Sequence, residues 1–170
     1  MKKMILIAIA LFSFQLLHAQ SGNGTPAEMV ARQHNDSIVL ADMIMPFLSN
    51  GATTPDWVAL GAAVKAKFGE GYVDRSVTKA KIYYYYGKDW PLFSSALVHY
   101  TEVYENKDDL PLMNKNAKMV LQNSQRVEEW KAAAGWVKHA MDKEPSDHGY
   151  KDTYDALTTK IKAQVMMGGH

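Results

Sequence analysis

Residues 90–104 read W-P-L-F-S-S-A-L-V-H-Y-T-E-V-Y, and residues 127–141 read V-E-E-W-K-A-A-A-G-W-V-K-H-A-M. Slid by 37 residues, Trp90 meets Val127, Phe93 meets Trp130 and Ala96 meets Ala133; Tyr100 meets Val137, Val103 meets Ala140 and Tyr104 meets Met141. Apolar residues recur at steps of three and four in both stretches, the period of one face of an α-helix. Part of the match therefore comes with any amphipathic helix. The paired alanines carry more, because helices that approach closely need small side chains at the contact. The stretches before them align more loosely at the same offset: Ala80 with Ala117, Ile82 with Met119, Tyr83 with Val120 and Tyr84 with Leu121. A fixed period of this size marks stacked supersecondary units.

Outward from this pair, start and stop signals divide the rest of the chain into helices. T-P-A-E at Thr25–Glu28 combines an N-cap, a first-position proline and a capping-box glutamate, and predicts a helix to about Leu48, kinked or ended early by Pro46. In T-T-P-D-W, Thr54 is the expected cap, Pro55 the first helical residue and Asp56 a first-turn acid. That second helix ends at Phe68-Gly69-Glu70-Gly71. Further helices are predicted over about 72–86, 90–105 (capped by Asp89), 110–122, 126–143 and 150–166. No segment alternates with period two long enough to be a strand. The class is all-α.

Ala133, Val137, Ala140 and Pro145 fall on the small, large, small, proline spacing of the second helix of a tetratricopeptide repeat (TPR), and Ala96, Tyr100 and Val103 share it, with Asp108 where the proline would stand. Trp57, Leu60 and Gly61 also resemble the W-x-x-L-G opening of such a repeat. The chain thus resembles a TPR-like helical-hairpin protein over about 72–166. The resemblance implies antiparallel hairpins stacked as a short solenoid over 71–167, preceded by an N-terminal helical hairpin over 25–70. It also implies groove-facing positions on each first helix: Thr78, Lys81 and Tyr85 in one repeat, Lys115, Lys118 and Gln122 in the next. Members of the family grip the acidic end or backbone of an extended peptide there with lysine and asparagine. The lysines match; Gln122 stands in for asparagine and Tyr85 departs from it. A basic lining suits a carboxylate-bearing ligand, and solvated surface lysines are the alternative.

The same register addresses K-I-Y-Y-Y-Y-G-K-D-W-P at 81–91. Four successive helical residues fan over about 300°, so the tyrosines cannot share a face. Tyr83 and Tyr84 match Val120 and Leu121 and are expected in the core; Tyr85 and Tyr86 match the polar Gln122 and Asn123 and are expected partly exposed. Two uses for that pair stay open: packing against a neighbouring helix or the N-terminal hairpin, or recognition of a partner.

Residues 1–19 read as an export signal, with Lys2 and Lys3, an apolar run from Met4 to Leu17, and cleavage expected after Ala19, ahead of a flexible leader at 20–24. The run is shorter than the roughly 20 apolar residues of a membrane span, so no span is expected after cleavage. The expected location is the periplasm or outside the cell. Without Lys2 and Lys3 the chain keeps 17 basic and 18 acidic side chains, a balance that argues against nucleic-acid binding. The absence of cysteine excludes disulfides, a thiol nucleophile and cysteine-bound metal.

No catalytic constellation, cofactor motif or metal-ligand spacing is found. The densest polar patch, S-D-H-G-Y-K-D-T-Y-D at 146–155, reads as the loop and first turn of the last helix, where acids favour the dipole. The expected function is non-catalytic: an exported helical-repeat protein that binds a protein or peptide through Thr78, Lys81, Tyr85, Tyr86, Lys115, Lys118 and Gln122. Two alternatives remain. One is a small-ligand binder or enzyme with a pocket between the N-terminal helices and the repeats. The other is an accessory helical module for a thioredoxin-like partner.

Overall fold

The computed structural model describes residues 34–49 and 55–167. The expected export signal and leader, and the expected Thr25 and Thr54 caps, lie outside those residues. All regular structure among the described residues is helical. A π-helical segment, Val39–Ile44, runs into α1 (Met45–Ser49); then come α2 (Trp57–Phe68), a 3-10 turn (Glu70–Tyr72), α3 (Val73–Tyr85), α4 (Trp90–Tyr104), α5 (Leu110–Asn123), α6 (Val127–Lys143) and α7 (His148–Met167).

Local chemistry accounts for the boundaries. Asp56, Asp89 and Asp109 each accept hydrogen bonds from first-turn amides, at Val58 and Ala59, Leu92, and Leu112 respectively, which satisfies orphan donors at a helix start. Asp56 is therefore the cap of α2, and Pro55 precedes the helix instead of opening it. The Asp147 carboxylate accepts from the Gly149 amide at 2.7 Å, so α7 starts two residues earlier than its apolar pattern indicates. Gly87, at φ 72°, closes α3 in the left-handed region that glycine enters without penalty. Pro46 neither ends the first helix nor stands at a plain kink. The helix widens just before it, with the Met45 amide bonded to the Leu40 carbonyl five residues back, a register shift that accompanies helix irregularities.

From α2 onward each helix packs antiparallel on its successor, and α4 also touches α6 and α5 touches α7. Cross-helix pairs give the directions. Trp57 meets Tyr84 and Tyr85, Asp74 meets Tyr104, Thr101 meets Asn116, Asp108 meets His139, and Lys160 lies over Trp130. One end of the stack thus gathers the starts of α2, α4 and α6 and the ends of α3, α5 and α7.

Two apolar cores meet at α3. The larger contains Phe93, Ala96, Tyr100, Met113, Ala117, Val120, Trp130, Ala133, Val137 and Leu157. The smaller joins Val39 and Ile44 to Leu60, Val64 and Ala80. Gly61 allows the close approach of α2 to α3, since a Cβ there would sit 3.3 Å from Val73 Cγ1. The 37-residue equivalence holds in the core, where Ala80, Ala117, Phe93, Trp130, Ala96, Ala133, Tyr100 and Val137 are all buried. It fails at the rim: Val103 is exposed while Ala140 is buried, and Trp90 is exposed.

Candidate functional site

On α5, Leu110, Met113, Ala117 and Val120 face the core, which turns the stripe of Lys115, Lys118 and Gln122 outward. Lys118 and Gln122 are exposed and Lys115 is half-buried, where desolvation lowers its ammonium pKa below the ordinary lysine value. The matching positions on α3 behave differently. Thr78 is buried, with its hydroxyl directed to the Asp74 carboxylate at 3.5 Å, so it cannot line a groove. The reason is that α3 lies between two neighbours, α2 and α4, and buries residues on both sides. Lys81 and Tyr85 are half-buried.

The tyrosine run divides in another way than the repeat register predicts. Tyr83 and Tyr84 are half-buried, not core, because the offset overlays helices with different neighbours. Trp57 of α2 packs edge-on to Tyr84 at 5.6 Å and tilted on Tyr85 at 6.0 Å, so Tyr85 covers the seam with the N-terminal helices. Lys88 Nζ sits 3.9 Å from the Tyr84 ring centre. Tyr86 is exposed and makes edge contacts with Trp90 and Phe93.

A denser set of ionisable groups, absent from the sequence expectations as a group, lies at the opposite end of the α3–α4 hairpin. Asp74 accepts a hydrogen bond from the Tyr104 hydroxyl at 2.5 Å and lies 2.8 Å from His99 Nε2. Partial burial works against its charge, but the bonds from Tyr104 and His99 outweigh it and hold the carboxyl below the usual aspartate value. Arg75 forms an ion pair with Asp36 at 2.6 Å, lies beneath the Tyr104 ring and stands near the Tyr100 phenol. Its Nε is buried without a hydrogen-bond partner. Burial pushes the Tyr100 phenol well above its ordinary pKa and raises that of the Glu105 carboxyl, despite nearby Lys79 and Arg75. The tyrosines are thus hydrogen-bond donors at neutral pH. The cluster can clamp residues 34–38, α3 and α4 together, and Arg75 can offer a donor to an anion.

The patch at 146–155 does not converge. Asp147 caps α7, Asp155 pairs with Lys151 at 2.5 Å, and Asp152 is exposed. Among the described residues no group of three histidine, cysteine, aspartate or glutamate side chains is placed to hold a metal.

The cluster of Asp36, Asp74, Arg75 and Glu105 is not legible in the sequence because its members come from the N-terminal segment, the first turn of α3 and the end of α4. One signal was available: Glu105 follows the end of α4, where the helix dipole disfavours an acid, so it implies a compensating cation. Compared with protein-family models, with curated proteins and with solved structures, the chain matches none.

Proposed function

We propose that the chain is an exported, non-catalytic helical-repeat protein that binds a protein or peptide segment. In this reading, the hairpins α3–α4 and α5–α6 are two turns of a short TPR-like solenoid. The observation that carries it is the outward stripe of α5. Lys115, Lys118 and Gln122 stand together on a helix whose other face supplies the core, and two lysines with an amide suit an extended backbone bearing a carboxylate. Thr78 takes no part, and Tyr85 belongs to the packing seam with Trp57.

The test is fluorescence anisotropy with labelled peptides bearing aspartate, glutamate or a free C-terminal carboxylate. Micromolar binding that weakens at least tenfold in the Lys115→Ala/Lys118→Ala variant is expected. Absence of binding, or binding that the double variant leaves unchanged, refutes the reading.

The unpartnered Arg75 Nε beside Asp36 and Tyr100 favours a second reading, a small anionic ligand held where the N-terminal helices meet the hairpin. A thermal shift with carboxylate or phosphate compounds, lost in Arg75→Lys, distinguishes it. No shift with any such compound removes it.

A further inference from the structure

The alternation of helix directions sorts the surface into two unlike ends. Of the large apolar side chains exposed among the described residues, Val58, Tyr86, Trp90, Leu92, Val165 and Met166 lie at the end that holds the starts of α2, α4 and α6, and Val103 alone lies at the other. They come from four separate segments, so their coincidence is a product of topology. Val58 is 83% exposed, Leu92 47%, Val165 61% and Met166 77%. Lys160 of α7 is level with Trp130 in the first turn of α6, and five further residues at 1.5 Å each carry Val165 beyond the first residue of that helix.

Charge is sorted along the same axis. At the apolar end basic side chains outnumber acidic ones, and the reverse holds at the opposite end. The acids at the apolar end are also committed elsewhere. Asp56 and Asp89 cap helices, Glu129 is buried against Ser124 and Arg126, and Glu128 pairs with Lys131. Lys81, Lys88, Lys118 and Lys162 form no ion pair among the described residues, and Lys88 rests on the Tyr84 ring.

We infer that this end of the stack docks on a membrane surface rich in anionic lipid. The chemistry of each part fits that occupant. Tryptophan and tyrosine favour the headgroup level, where one side is apolar and the other wet. Short aliphatic side chains on helix ends reach the acyl boundary without a spanning segment, and no described helix is long and apolar enough to cross a membrane. Lysines around them meet the negative headgroups. The acidic end faces away, which fixes one orientation.

The experiment is co-sedimentation of the chain from Gln20, the product expected of cleavage after Ala19, with two vesicle types: phosphatidylcholine alone, and phosphatidylcholine with phosphatidylglycerol. Binding to the phosphatidylglycerol vesicles is expected, with a blue shift of tryptophan emission that Trp90→Phe diminishes. Changing Lys88, Lys118 and Lys162 together to glutamine should weaken binding on the order of a hundredfold, given the usual contribution of a lysine near an anionic surface. Changing Val58, Leu92, Val165 and Met166 to glutamine, all exposed positions, should abolish the shift while circular dichroism confirms the fold. A folded parent that stays in the supernatant with both vesicle types overturns the inference. Equal binding to the two vesicle types, or binding unaffected by the glutamine changes, overturns it as well.

Discussion

The ion pair between Asp36 and Arg75 sets how firmly the N-terminal helical segment is held to the hairpin, and it can be measured directly. The contact is 2.6 Å, and the two side chains keep only 11% and 19% of their exposure. Two unit charges at about 4 Å attract by about 4 kcal/mol at the effective dielectric of a protein surface, and part of that attraction is offset by desolvation. Breaking a fully buried pair from one side costs about 3–5 kcal/mol, because the remaining charge stays buried. With the residual exposure seen here, Arg75→Met should destabilise by about 2–4 kcal/mol and Asp36→Asn by slightly less. The double variant should lose much less than the sum, leaving a coupling of about 2 kcal/mol. Urea unfolding of the four proteins gives the cycle, and hydrogen exchange over residues 34–49 gives its location. Additive effects within about 0.5 kcal/mol, or unchanged protection of residues 34–49 in Arg75→Met, would refute the clamp.

Three further outcomes are expected. Ala133 is fully buried where α6 meets its neighbours, so Ala133→Leu should cost about 1–3 kcal/mol or more by overpacking, whereas the same change at the exposed Ala163 should stay within about 0.5 kcal/mol; chemical denaturation separates the two. Phe93, also fully buried, should cost about 3–5 kcal/mol when changed to alanine, lowering the melting temperature by about 6–20 °C for a domain of this size. Glu105 has a raised carboxyl pKa because of burial. Between the unfolded value, near about 4.3, and the higher folded one, the native state binds more protons, so its contribution to stability falls as pH rises through that window. Glu105→Gln should therefore flatten the pH dependence of unfolding there and raise stability at pH 7; a variant less stable at pH 7 than its parent refutes the assignment.

Helix ends were legible because they depend on contacts within a few residues. Gly87 closes α3 and Asp89 opens α4 where the sequence places them. The Asp56 cap was misplaced by two residues because Thr54 and Asp56 both carry capping chemistry, and only backbone geometry selects between them. The stripe on α5 was legible as well, since its apolar residues define an inner face and Lys118 and Gln122 fall opposite. Thr78 was not: its burial depends on α2 and α4 covering both sides of α3, which no local pattern reveals.

Periodicity, caps and the paired alanines by themselves determined an all-helical chain of short antiparallel elements, because helix formation and capping draw on neighbours three and four residues apart. Tertiary structure alone decided which tyrosine is covered by Trp57, which charges gather around Arg75, and which end of the stack is apolar. Those outcomes depend on side chains tens of residues apart meeting across helix faces, and a shared period in sequence does not give two helices the same neighbours.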